Sequence, residues 1–242
     1  MLTATAAMRA GAGKLCIATI ASAAPYLGVS MPEAMVVGLP ENDAGGFADC
    51  TIDAIREQVA IADAVVAGPG MATGEICTRI AEVLLTGAPT LALDAAMLRC
   101  LRPPERPATN TPVLLPHAGE LASLLDCDED EVAREPIACG HRAAARYGAH
   151  ILVKGVTSHV VTPDGDVFTY AGGAPGLGVS GSGDILAGIV GGLLARGAEP
   201  LNALLWAVSL HGEAGAKLAK KVGPIGFLAR EIADEIPALL PR

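Results

Sequence analysis

Gly173 to Gly188 reads GAPGLGVSGSGDILAG, a glycine-rich run whose single charge is Asp184. Glycine is conformationally costly to order, so such a run implies a demanding backbone. Gly181, Ser182 and Gly183 lead into an apolar helical stretch. The amides at a helix start are unpaired, and the helix dipole favours an anion there. Small residues let a phosphate approach closely, so the segment can form an anion hole. Asp184, in the first turn, has two readings. It can cap the helix, or take a proton from a hydroxyl attacking phosphorus. The Gly-Lys-Ser/Thr of a Walker A loop is absent.

Three further segments carry candidate groups at strand ends. AGPGMATGE (67–75) places Gly70 just after an apolar run. LLPHAGELASLL (114–125) sets His117 three residues before Glu120; a lone histidine there can equally be a helix cap. ILVKGVTSHVV (151–161) ends a strand at Lys154, followed by Gly155, Val156, Thr157 and Ser158. A lysine at a strand end can be a solvated charge. Small polar residues directly after it suit a nucleotide phosphate or ribose. Ligands of open α/β sheets bind beyond the carboxyl ends of the strands, where all four segments would fall.

The elements that position them follow from periodicity. Near-continuous apolar runs at 14–20, 34–39, 63–70, 89–95, 112–116 and 150–155 predict buried strands of a parallel sheet. Helical stretches near 47–61, 72–86, 118–126 and 129–147 alternate with them, which argues for a doubly wound α/β fold. Two alternating runs around Pro163-Asp164-Gly165 (159–172) predict a β-hairpin. Helices are predicted at 183–196, 199–220 and 226–239, and a mobile loop at the proline-rich 102–112. The chain opens on an alanine-rich helix where such folds usually open on a strand.

Bulk properties narrow the function. The 242 residues suit one α/β domain covering 1–242. Apolar residues make up 51% and aromatics only 3%, so Ala, Val, Leu and Ile must build the core. Net charge is −9 with no basic run, which argues against nucleic acid or an anionic membrane. No stretch reaches the length of a membrane span, and no signal peptide is visible. Six scattered cysteines without a CxxC pair argue against a disulfide or metal framework and suit a reducing cytoplasm.

GPGMATG, LDAAML, LLPHAGELASLL, ILVKGVTSHVVTPDGDVF and GAPGLGVSGSGDILAGIVGGLLARG stand in the order found in the ADP-dependent NAD(P)H-hydrate dehydratases, ribokinase-like proteins. The resemblance spans essentially the whole chain. The GSGD segment alone would point only to the superfamily; the combination is more specific. The resemblance implies a three-layer α/β/α fold with a mostly parallel sheet. It implies dehydration of the S epimer of hydrated NADH or NADPH, using ADP (or ATP) and releasing AMP and phosphate. The hydroxyl would be phosphorylated, then expelled as phosphate with help from the ring nitrogen.

By the same resemblance Asp184 is base and substrate contact, and Gly70 and His117 contact the hydrated dinucleotide. Lys154, Gly155, Val156, Thr157, Ser158 and Gly183 bind the nucleotide, and neighbouring amides hold the phosphate. Mg2+ is implied as a phosphate partner, without a dedicated metal cluster. A cytoplasmic homotetramer is implied, with an epimerase domain or partner upstream. Family members usually carry a strand and a GGS turn before the first helix. The resemblance therefore implies a domain lacking its first strand. Ala72, Ala96, Ala118 and Ser158 are mild departures from the family pattern. Two other readings stay open. One is a vitamin-precursor or sugar kinase on the same fold, which would release a phosphorylated alcohol. The other is a nucleotide-binding pseudoenzyme, in which Asp184→Asn would change no turnover.

Overall fold

The computed structural model describes residues 1–104 and 110–240. Residues 105–109 of the expected proline-rich loop lie outside the described residues. The chain opens with α1 (Leu2–Arg9), then β1 (Cys16–Ile20), α2 (Ala24–Ser30), β2 (Met35–Leu39) and α3 (Thr51–Ala60). Next come β3 (Val65–Ala67), α4 (Glu75–Gly87), β4 (Leu91–Leu93), α5 (Ala96–Cys100) and β5 (Val113–Leu114). Helices α6 (Ala118–Leu125), α7 (Glu129–Arg134) and α8 (Pro136–Tyr147) lead to β6 (His150–Val153), β7 (Ser158–Val161) and β8 (Val167–Tyr170). A 3-10 turn (Pro175–Gly178) precedes α9 (Ser182–Ala195), α10 (Pro200–Lys221) and α11 (Ala229–Glu235).

Strands β3 to β8 pair in sequence order, parallel from β3 to β6 and antiparallel through the β7–β8 hairpin. Sequential order with right-handed crossovers puts the connecting helices on one face. The strand side chains record this by alternation. Leu93, Leu114, Ile151, Val153 and Val161 join the core under α3 to α8. Ala92, Val113, Leu152 and Val160 point the other way, into a core shared with α1, α9, α10 and α11. Three layers result, the mostly parallel α/β fold that the sequence predicts.

Two expectations are corrected. Strands β1 and β2 pair in parallel with each other and not with the larger sheet, so the sheet is divided. The β1 ladder runs to β2 alone, and Cys16 and Ala18 in β1 are exposed although small and apolar. No strand precedes α1 among the described residues. The helix predicted over 129–147 is two helices, because Pro136 opens α8 at its first position and cannot donate back to α7.

Part of the glycine run serves packing. A Cβ at Gly188 would strike the backbone carbonyl of Thr3, and one at Gly192 would sit 2.5 Å from that of Ala7. These positions, one helical turn apart, let α1 lie almost backbone to backbone on α9.

Candidate functional site

Four consecutive parallel strands end at one edge, and each delivers a residue there. Gly70 follows β3, Asp94 follows β4, His117 follows β5 and Lys154 follows β6. The β5–β6 ladder continues past its strands: the Lys154 N–H donates to Pro116 O at 3.0 Å, and His117 bridges Lys154 in parallel. Residues 37 apart in sequence are neighbours for that reason.

Lys154 is the electrostatic centre of the edge. Its Nζ lies 2.8 Å from Asp94 Oδ1 and 3.9 Å from Glu120 Oε2. Both acids are buried, at 2% and 5% exposure. Burial pushes the Asp94 carboxyl above its ordinary range, against the pull of Lys154. A Cβ on Gly183 would come 3.7 Å from Lys154 Nζ and 3.8 Å from Asp94 Oδ2. The ion pair therefore forms a wall of the space in front of α9.

That space borders Gly181, Ser182 and Gly183, over which the sequence predicts an anion hole. Gly181 caps α9 at φ 87°, a left-handed conformation that suits glycine, and a side chain there would collide with Leu2. The Ser182 N–H is already used by Val179 O. Like Gly181 before them, Gly183 and Asp184 have no backbone acceptor among the described residues, so their amides are free. No capping box closes this end, so the Asp184 carboxylate is not turned back on its own helix. Burial raises its pKa, while the chain's amino terminus and Lys154 pull the other way. A half-desolvated carboxylate beside unpaired amides and a lysine has the parts for proton removal near a bound phosphate.

His117 does cap a helix. Its Nδ1 accepts from the Gly119 and Glu120 N–H groups at 3.1 and 3.3 Å, while Glu120 Oε2 accepts from the His117 N–H at 2.9 Å. An accepting Nδ1 leaves the proton on Nε2, on a ring that stays half exposed. Gly155 to Thr157 form the exposed turn between β6 and β7, with Val156 fully exposed. The Ser158 hydroxyl donates to Gly155 O at 3.4 Å across that turn. Gly70 lies exposed at φ 72°, with open space where a side chain would stand. It shares the edge, without a described contact to the other site residues.

Asp94 and His211 are additions that sequence reasoning missed. The strand end in LDAAML was a signal for Asp94; nothing local marks His211, whose ring reaches Ser182 from α10. A concavity of about 550 Å3, lined by Asp63, Thr90, Arg196 and Glu199 among others, lies at the amino ends of the strands. It holds none of these groups.

A Mg2+ partner needs hard oxygen donors and keeps several waters and phosphate oxygens of its own. No group of three or more candidate ligands occurs among the described residues. The adjacent carboxylates of Asp94 and Glu120 fit an ion held largely by phosphates.

The sequence matches the family description NAD(P)H-hydrate dehydratase over residues 1–238. A Xanthomonas campestris protein named ADP-dependent (S)-NAD(P)H-hydrate dehydratase is 44% identical, over all of this chain and 83% of its own length. A Moorella thermoacetica protein named bifunctional NAD(P)H-hydrate repair enzyme is 32% identical over 99% of this chain, which spans 46% of it. The crystal structure of the Bacillus subtilis ADP/ATP-dependent NAD(P)H-hydrate dehydratase, co-crystallised with ATP and Mg2+, superposes with a TM-score of 0.83. The identity is 27%, covering 98% of this chain and 84% of that one. With its fold and its sequence in agreement, this chain belongs to the NAD(P)H-hydrate dehydratase family.

Proposed function

We infer that this chain is an ADP-dependent (S)-NAD(P)H-hydrate dehydratase, an enzyme of nicotinamide nucleotide repair. The observation that carries the reading is the meeting of Asp184, two free amides at the start of α9 and Lys154 at one sheet edge. That is a phosphoryl-transfer site with a base built in.

The proposed sequence begins with ADP across the Lys154–Ser158 turn and its terminal phosphate at Gly183 and Asp184. Asp184 accepts the proton of the hydrate's hydroxyl as its oxygen attacks the terminal phosphorus. AMP leaves, and the ring hydroxyl becomes a phosphate ester. The ring-nitrogen lone pair then expels phosphate, and loss of a ring proton restores the dihydronicotinamide double bond. Phosphate is a far better leaving group than hydroxide, which is why a kinase-like site serves a dehydration. Gly70 and the half-exposed ring of His117, whose Nε2 lies 3.5 Å from Glu120 Oε1, face the hydrated dinucleotide in this reading. Lys154 holds charge beside the transferring phosphate, and Asp94 keeps its ammonium in place. Mg2+ bound with the nucleotide would neutralise phosphate charge, held by Asp94 and Glu120.

A cytoplasmic homotetramer and an upstream epimerase domain or partner belong to the same reading. Free cysteines accord with a reducing compartment, and no described helix is long and apolar enough to cross a membrane. Half-exposed Trp206 and exposed Tyr26 and Val29 suit burial against further copies. Relatives named bifunctional, with more than half their length outside the match, support the upstream domain.

The test is incubation with hydrated NADH and ADP, or ATP, following the return of dihydronicotinamide absorbance and the release of AMP. Recovery of NADH with AMP and phosphate is expected. A stable phosphorylated alcohol would establish a kinase instead. Nucleotide binding without turnover would leave a pseudoenzyme.

A further inference from the structure

Ser182 is buried, with 4% of its surface exposed, at the first position of α9. Its N–H donates to Val179 O. Its hydroxyl has one neighbour of hydrogen-bonding type among the described residues: Nε2 of His211, at 3.0 Å. The same Nε2 stands 3.2 Å from the Ser182 carbonyl oxygen.

A carbonyl oxygen only accepts, so the contact at 3.2 Å is attractive only if Nε2 carries a proton. Burial, opposed by the bond to Ser182, pushes the His211 pKa down to about 4, so the ring is neutral near pH 7 and has a single N–H. That N–H is on Nε2 and is directed at Ser182. The Ser182 oxygen can share it as an acceptor but cannot donate to it. The hydroxyl hydrogen is therefore unspent in a buried place, where an unmade hydrogen bond is costly. The neighbouring residues, Gly183 and Asp184, hold free amides of the expected anion hole.

We propose that His211 is a positioning residue: by donating Nε2–H to the Ser182 carbonyl it fixes residue 182 and leaves the Ser182 hydroxyl as a third donor to the transferring phosphate. The proposal deepens the dehydratase reading and rests on it for its kinetic effect. Two amides and a hydroxyl then converge on the oxyanion that gains charge as the phosphoryl group moves. Donors placed before the reaction stabilise developing charge without reorganisation.

The test uses Ser182→Ala, His211→Leu, His211→Gln and the Ser182→Ala/His211→Leu pair, assayed with hydrated NADH and ADP. A glutamine amide nitrogen occupies nearly the place of Nε2 and always donates. Ser182→Ala is expected to lower kcat by about a hundredfold, with a smaller change in KM. His211→Leu should lose a similar factor, and the double variant should be no worse than either single. His211→Gln should stay within about threefold of wild type. A multiplicative loss in the double variant, Gln as impaired as Leu at an unchanged Tm, or Ser182→Ala within twofold of wild type would each overturn the proposal. If His211→Leu does not fold, the other two single variants still decide it. Calorimetric titration with ADP separates this inference from the functional reading. If wild type binds ADP but does not dehydrate the hydrate, the functional reading fails. Weaker ADP binding by Ser182→Ala and His211→Leu, but not by His211→Gln, would then still uphold the positioning role. Equal affinities would end it.

Discussion

Lys154 and Asp94 are 60 residues apart, yet Nζ and Oδ1 meet at 2.8 Å with the β5 strand between the two strands that deliver them. The Asp94 side chain is almost fully buried and that of Lys154 four-fifths buried. Neither charge is well solvated, so each depends on the other.

Removing the cation alone should therefore damage both folding and binding. Lys154→Met leaves Asp94 and Glu120 facing each other without compensation, and should cost about 3 kcal/mol in denaturant unfolding. It should also abolish tight ADP binding. The Asp94→Asn/Lys154→Met pair should regain most of the stability and none of the turnover. Recovery of turnover by the pair would show that Lys154 does not act on the phosphate.

Asp184 gives a prediction of opposite sign. Burial raises its pKa, so the native state favours the protonated form. The resulting penalty grows as pH rises from the unfolded value through the folded one. Asp184→Asn should accordingly match or exceed wild type in Tm at pH 7, bind ADP, and lose turnover by about a thousandfold or more. The acid limb of wild-type kcat/KM should lie above the ordinary carboxylate range. Retained turnover in the asparagine variant would remove Asp184 from the role of base.

How much of this was legible beforehand follows the range of the interactions. Asp184, Lys154 and His117 sit in local patterns, a glycine-rich helix start and two strand ends, so a single sequence exposes them. The β7–β8 hairpin was equally plain from Pro163-Asp164-Gly165 between alternating runs. The break at Pro136 was visible in principle, because proline inside a helical pattern ends the preceding helix. The partners of Lys154 and Ser182 were not visible, since Asp94 and His211 reach them across 60 and 29 residues. The division of the sheet was hidden for a related reason: β1 has the apolar composition of a buried strand, and pairing is decided by its neighbours.

The contact between α1 and α9 can be tested through packing alone. Gly188→Ala places a methyl group against the Thr3 carbonyl, a backbone atom that cannot swing aside. Overpacking of this kind should cost about 2 kcal/mol or more. Gly178→Ala is the matched control, since nothing lies within 4 Å of its added methyl, and should change stability by less than about 0.5 kcal/mol. Equal stability of the two variants would mean that α1 does not pack on α9 as described.

The His211 ring also predicts how stability responds to acid. In the unfolded chain a histidine takes up a proton near pH 6.5, whereas the folded protein resists until about pH 4. Between those values the unfolded state binds more protons, so stability falls as pH falls, and the loss levels off below about pH 4. The gap corresponds to about 3 kcal/mol. Other groups titrate over the same range, so the measurement is a difference. Urea unfolding of wild type and His211→Gln is compared at steps from pH 7 to pH 4. Wild type should lose stability relative to the glutamine variant by about that amount, mostly between pH 6.5 and 4.5. Parallel curves would show that His211 takes up its proton equally in both states, and that the ring is not held neutral against Ser182.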